Sequence, residues 1–293
     1  MRMFPLFAIC LLFGSSAGAE EKKPIELILV AGQSNAVGFD ADPALLPESA
    51  DDTQVKFWYR CGDPPVDEHD VSSAKKWITL GPQPKGNPKL KSKESPRQYG
   101  NFSGADGGFG PEIGMARALR ESQPERRIAV VKVAFSGTAI GTDWNPDAEE
   151  GDVQGDCYRS LVAETKAAVA ALRAEGEAVE LRAFVWVQGE SDSNGKDAPL
   201  YARRLAHMIA NLRKDLEAVD MVALLAVNTQ FGLGKREHMP AIVVAQQEVA
   251  KKDARAVYVD TSKATIANAA HYDTQGTLDV GKWMAEALIA LEQ

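Results

Sequence analysis

Gly32-Gln33-Ser34-Asn35, Ser136-Gly137-Thr138, Gln188-Gly189-Glu190-Ser191-Asp192 and a late His271 are the segments of this chain whose residue types can do chemistry. Each of the first three directly follows an apolar run. Ser34 is therefore expected on a sharp strand-to-helix turn, where glycine permits close backbone approach. There a hydroxyl can meet a base, and the nearby amides can face the oxyanion that an attack would develop. The same Ser-Asn pair also suits an ordinary helix cap or Asx-type turn, and a lone histidine is most often a loop residue. The local sequence leaves both readings open. The spacing is not that of the usual Gly-x-Ser-x-Gly elbow: the fifth position is Ala36, and the serine lies near the start of the chain.

These segments need elements to hold them. Ile25–Ala31, Arg127–Phe135, Leu181–Val187, Met221–Asn228 and Ala256–Asp260 are short apolar runs that read as buried strands. Between them lie segments of helical periodicity. One opens at Gly110-Pro111-Glu112, with proline and an acid suited to a helix start. Others run over Tyr158–Ala174, Leu200–Leu216, Met239–Lys251 and Thr277–Leu291. Strands alternating with helices imply an α/β fold of three layers, α/β/α, around a mostly parallel five-stranded sheet. In such a sheet, ligands bind outside the carboxyl ends of the strands. The four polar segments fall at those ends, so the fold should bring them together.

The segment from about 40 to 108 breaks the alternation. It is rich in Pro, Gly, Asp and Lys and reads as a long loop insertion, locally basic at Lys85, Lys89, Lys91, Lys93 and Arg97. It is expected to wrap the carboxyl edge of the sheet. The 293 residues carry 33 Lys+Arg against 41 Asp+Glu, a net charge of −8 that argues against bulk nucleic-acid binding. Residues 1–19 have the three-part pattern of a cleavable signal peptide: Arg2, an apolar stretch from Phe4 to Phe13, then Ala17-Gly18-Ala19. The expectation is a secreted or periplasmic chain without a stable membrane anchor, its residues 20–293 forming one domain. Removal of the leader would leave Cys61 and Cys157, either paired or as two buried thiols. Neither they nor His69, His207, His238 and His271 stand in a metal-ligand spacing, so no metal site is expected.

Gly32-Gln33-Ser34-Asn35, Ser136-Gly137-Thr138 with Trp144, Trp186-Val187-Gln188-Gly189-Glu190-Ser191-Asp192 and the late His271 resemble the SGNH hydrolases. The pattern is most similar to the sialate O-acetylesterase and acetylxylan-esterase branch, carbohydrate esterase family 6. The resemblance implies a flavodoxin-like fold and a serine esterase that removes acetyl groups from a carbohydrate without a cofactor. It implies Ser34 as nucleophile, His271 as base, and the Ser34 and Gly137 N–H groups as an oxyanion hole. A third oxyanion donor, an Asn in the classical motif, is replaced by Ser191, and Gln188 is expected in its stead. Gln33 and Trp144 are candidate substrate contacts, whereas Trp58 and Trp77 read as core.

One position departs from the family pattern. Many SGNH enzymes carry an aspartate three residues before the histidine, and here that residue is Asn268. A neutral amide holds an imidazole ring but does not stabilise imidazolium as a carboxylate does. The resemblance implies Glu190 as the acid in its place, ahead of Asp192 and Asp273. A bare Ser–His dyad is a further possibility. Two other readings follow: a carbohydrate-binding protein that lost turnover, or a hydrolase of the same chemistry acting on lipid or thioester.

Overall fold

The apolar runs form strands because their β-branched and aromatic side chains pack on both faces of one sheet. The structure, a computed structural model, describes residues 23–68, 70–86, 102–149 and 154–292. The leader pattern, His69, and the cationic run Lys89–Arg97 lie outside the described residues. In chain order the elements are β1 (Ile25–Gly32), α1 (Ser34–Val37), β2 (Lys56–Gly62), β3 (Val71–Ser72), β4 (Ile78–Thr79), α2 (Glu112–Ser122) and β5 (Ile128–Phe135). There follow α3 (Asp156–Ala174), β6 (Val179–Val187), α4 (Tyr201–Asp215), β7 (Val222–Ala226), α5 (Met239–Lys252), β8 (Ala256–Tyr258) and α6 (Thr274–Ala290).

Six parallel strands lie in the order β2-β5-β1-β6-β7-β8, with β3 and β4 antiparallel on the outer edge of β2. The three-layer α/β architecture is as expected, but the sheet is wider than the five strands read from the sequence. The added parallel strand, Lys-Phe-Trp-Tyr-Arg-Cys-Gly, lies inside the segment read as loop. Its cations Lys56 and Arg60 interrupt the apolar pattern, and each meets an acid: Lys56 binds Glu175, and Arg60 binds Asp70. Trp58 beside them is buried and donates from Nε1 to Glu164 Oε2 at 2.7 Å.

Alternate residues of each strand face two separate cores. Leu27, Leu29, Val131, Phe184 and Leu225 pack beneath α3, α4 and α5, while Ile28, Val30, Val130, Val185 and Leu224 pack beneath α2 and α6. Each such side chain, shielded from water, contributes about 1.5–3 kcal/mol. Cys157 belongs to the first core and Cys61 to the second, so the sheet separates the two buried thiols and they form no disulfide. Among the described residues no helix is long and apolar enough to cross a membrane.

Register fixes where the polar segments emerge. Gly32 at the end of β1 pairs with Ala134 of β5 on one side and Val187 of β6 on the other. Val187 in turn pairs with Ala226 of β7. The carboxyl ends of the four central strands therefore release Gln33, Ser136, Gln188 and Asn228 side by side.

Candidate active site

Ser34 opens α1, a four-residue helix that Gly38 ends at φ 84°. A side chain at Gly38 would both strain that left-handed backbone and bring its Cβ within 1.7 Å of the Phe109 carbonyl oxygen. The Gly38 and Phe39 N–H groups both donate back to the Ser34 carbonyl, at 2.9 and 3.1 Å. This tight return sets Asp40 beside the serine that began the helix.

His271 completes the group from the other end of the chain. Its Nε2 lies 3.0 Å from Ser34 Oγ, and its Nδ1 lies 2.6 Å from Asp40 Oδ2. Phe39 covers the imidazole, with ring centroids 4.6 Å apart. Burial alone would push the Asp40 carboxyl up. Hydrogen bonds from Ser103, Asn268 and His271, with the His271 charge, outweigh it and hold Asp40 below its ordinary value. An ionised carboxylate only accepts, so in the neutral imidazole Nδ1 carries the proton and the Nε2 lone pair faces the Ser34 hydroxyl.

The acid against His271 is thus Asp40, not Glu190. Sequence reasoning passed over Asp40 because it is the first residue of the segment read as loop. The signal that could have found it is its place just past the glycine that ends the Ser34 turn. Asn268 stands where the family pattern has an acid, and it donates from Nδ2 to Asp40 Oδ2 at 2.7 Å. Asp273, another acid weighed for the role, instead caps α6 by accepting from Gly276 N at 2.8 Å.

Glu190 is buried, and its hydrogen bonds go to Asn35 and Asn228 rather than to the imidazole. Its Oε1 accepts from Asn35 Nδ2 at 2.7 Å and from Asn228 N at 3.1 Å, while Oε2 is buried without a hydrogen-bond partner. Desolvation, only partly offset by its own backbone N–H and the Asn35 and Asn228 donors, raises its carboxyl above the ordinary value.

Gln188 does not serve as an oxyanion donor in this arrangement. Its Nε2 donates to the Thr138 carbonyl at 2.9 Å and to Asp192 Oδ2 at 2.6 Å, and its Oε1 accepts from Tyr201 at 2.9 Å. Asp192 Oδ2 also accepts from Ile140 N at 3.0 Å. Gln188 and Asp192 together therefore tie down the loop that carries Gly137. Gly137 turns that loop at φ 71°, with open space where a side chain would project. The N–H groups of Ser34 and Gly137 have no acceptor among the described residues.

Of the candidate substrate contacts, Trp144 is fully buried. It donates from Nε1 to Thr138 Oγ1 at 2.9 Å and packs edge-on against Trp186 with centroids 5.1 Å apart. It is a core residue under the Gly137 loop, with no face left for a sugar. Gln33 is nearly buried, and its Oε1 accepts from Ser191 N at 3.2 Å, joining the turn after β1 to the loop after β6. Trp58 is core as expected, and Trp77 packs edge-on against it while donating to the Ala168 carbonyl. His207 pairs with Asp147 on the surface.

Behind α1 sits a buried ion pair that sequence reading missed. Lys132, on β5, donates from Nζ to the Val37 carbonyl at 2.7 Å, to Gln83 Oε1 at 2.7 Å and to Glu112 Oε1 at 2.9 Å. It braces the carboxyl end of the helix that Ser34 opens. Among the described residues no group of three or more His, Cys, Asp or Glu side chains is placed to hold a metal ion.

Several solved structures share this fold. A protein from Arabidopsis thaliana aligns with a TM-score of 0.64 at 19% identity, covering 92% of this chain and 99% of its own. NanS aligns with a TM-score of 0.59 at 16% identity, over 94% of this chain and 99% of its own. A carbohydrate acetylesterase from Xanthomonas citri aligns with a TM-score of 0.56 at 19% identity, over 91% of this chain and 56% of its own. At these identities the likeness is one of fold. No curated protein matches the chain in sequence. Residues 24–290 match the model of the carbohydrate esterase, sialic acid-specific acetylesterase family, and the chain belongs to that family.

Proposed function

We propose that this carbohydrate O-acetylesterase works through an acetyl-enzyme on Ser34, with His271 as general base and Asp40 as the acid that orients it. The observation that carries the reading is the continuous line Ser34 Oγ–His271 Nε2–His271 Nδ1–Asp40 Oδ2, at 3.0 and 2.6 Å. Ser34 Oγ attacks the acetyl carbonyl carbon while its proton passes to His271 Nε2. The oxyanion is held by the Ser34 and Gly137 N–H groups, each typically worth about 3 kcal/mol in the transition state. Collapse breaks the bond to the sugar oxygen, which takes the proton from His271. Water then repeats the sequence on the acetyl ester and releases acetate. Asp40 stabilises the imidazolium in both halves and keeps Nδ1 protonated.

The reading as a sugar-binding protein without turnover rested on Asn268, and Asp40 now fills the role that Asn268 left open. The family match supports an O-acetylated sugar as substrate, with an acetylated sialic acid the sugar that the family's description names. The test is Ser34→Ala: aryl acetate hydrolysis should be lost while the thermal unfolding midpoint stays within a few degrees of wild type. A folded Ser34→Ala protein that still turns over would sink the mechanism, and acetate release across a panel of acetylated glycans would assign the sugar.

A further inference from the structure

We infer that Glu190 is a positioning residue that sets the side-chain orientation of Asn35 and anchors the backbone of Asn228, and that these two asparagines in turn hold the His271 loop in register. This rests on the Ser34–His271 mechanism above. Both links start from one oxygen. Glu190 Oε1 accepts from Asn35 Nδ2 at 2.7 Å and from Asn228 N at 3.1 Å. Asn35 Nδ2 also donates to the Ala270 carbonyl at 3.1 Å, and Asn35 Oδ1 accepts from Tyr272 N at 3.0 Å. Asn228 Nδ2 donates to the same Ala270 carbonyl at 3.1 Å. The backbone on both sides of His271 is therefore held by the side chains of Asn35 and Asn228, which Glu190 anchors through one side-chain amide and one backbone N–H.

The oxygen is needed because an amide side chain has two orientations related by a flip. With Asn35 reversed, its oxygen would face the Ala270 carbonyl and its NH2 would face the Tyr272 N–H, so both contacts would turn repulsive. An acceptor at the Glu190 Oε1 position forbids the flip, since only NH2 can point at it. What the site requires there is an acceptor rather than a charge. Oε2 makes no hydrogen bond, and Glu190 itself does not touch His271. A glutamine fits that description: its oxygen replaces Oε1 and its NH2 takes the place of the unpartnered Oε2.

The test compares Glu190→Gln and Glu190→Ala in kcat and KM for an aryl acetate, with unfolding midpoints recorded alongside. Glu190→Gln should keep kcat within about fivefold of wild type. Glu190→Ala should lower kcat about 100-fold with KM within about twofold, because misplacement of a catalytic group by an ångström costs on that order. Asn35→Ala should show a similar kcat defect, and the Glu190→Ala/Asn35→Ala pair should fall less than tenfold below the worse single variant, since both break one linkage. A folded Glu190→Gln protein as inactive as Ser34→Ala would overturn the inference by showing that the charge is required. So would a fully active Glu190→Ala protein, or a double variant whose defects multiply. Failure of the underlying mechanism is separable, because it would appear as activity in Ser34→Ala.

Discussion

The turn after β1 and the loop after β6 emerge side by side from the sheet, and each carries an acid near His271, yet the two segments do opposite work. Ser34 to Asp40 presents a hydroxyl and an ionised carboxylate at a partly open edge, where the Asp40 side chain is 12% exposed. Gln188, Glu190 and Asp192 are buried and turn their side chains onto neighbouring backbone and side chains. Gln188 and Asp192 hold the Gly137 loop, and Glu190 holds the His271 loop through Asn35 and Asn228. Donor count and water decide the outcome. Hydrogen bonds from Ser103, Asn268 and His271 keep Asp40 charged, whereas burial raises Glu190 and pushes Asp192 up to about 6. A carboxylate that is to stabilise imidazolium needs the first setting. One that is to set amide geometry works in the second.

The comparison breaks most visibly at Asp40. Asp40→Ala should lower kcat on an aryl acetate by about 10³–10⁴ with the fold retained, in line with loss of the orienting acid in other Ser-His-Asp sites. A fall of less than tenfold would move the acid's role elsewhere. Asp192→Asn probes the buried side through stability. The Asp192 carboxyl is pushed up to about 6 from an ordinary 3.8, chiefly by burial. The folded chain therefore binds this proton more tightly than the unfolded one. Its contribution is fully present below pH 4 and is lost as the pH rises through 6. Asparagine can accept from Gln188 and Ile140 at every pH. The stability of Asp192→Asn relative to wild type, from urea unfolding, should thus rise by on the order of 3 kcal/mol between pH 4 and pH 7. An equal difference at both pH values would count against a buried, protonatable Asp192. The smallest effect belongs to Asn268, which donates to an acid that has other donors. Asn268→Ala should cost kcat less than about tenfold, near 1 kcal/mol; a loss rivalling that of Asp40→Ala would make Asn268 an essential partner.

The sequence was most legible where periodicity and strand ends coincide. β1, β5, β6 and β7 follow apolar runs, and the polar residues after them mark the site without any knowledge of contacts. β2 was hidden because Lys56 and Arg60 read as polar interruptions, and the Glu175 and Glu164 that meet them lie more than 100 residues on, which no local pattern displays. Asp40 was hidden for a related reason: its meaning comes from the return of the chain after Gly38 and from a histidine 231 residues away. The family motif drew attention to Gln188, Glu190 and Trp144 as an oxyanion donor, an orienting acid and a sugar contact, but residue type does not say which way a side chain points. The hydrogen bonds of Gln188 to Thr138 and Tyr201, and the burial of Trp144 against Trp186, are set by packing beneath the Gly137 loop.

The line from Ser34 through His271 to Asp40 is tested most directly by the rate at which a fluorophosphonate labels Ser34 in Asp40→Asn, because labelling reports activation of the hydroxyl without sugar binding. Labelling should slow by about 100-fold or more against wild type, the site confirmed by mass spectrometry of the modified peptide. Labelling of folded Asp40→Asn at the wild-type rate would contradict the assignment of Asp40 as the acid that prepares His271.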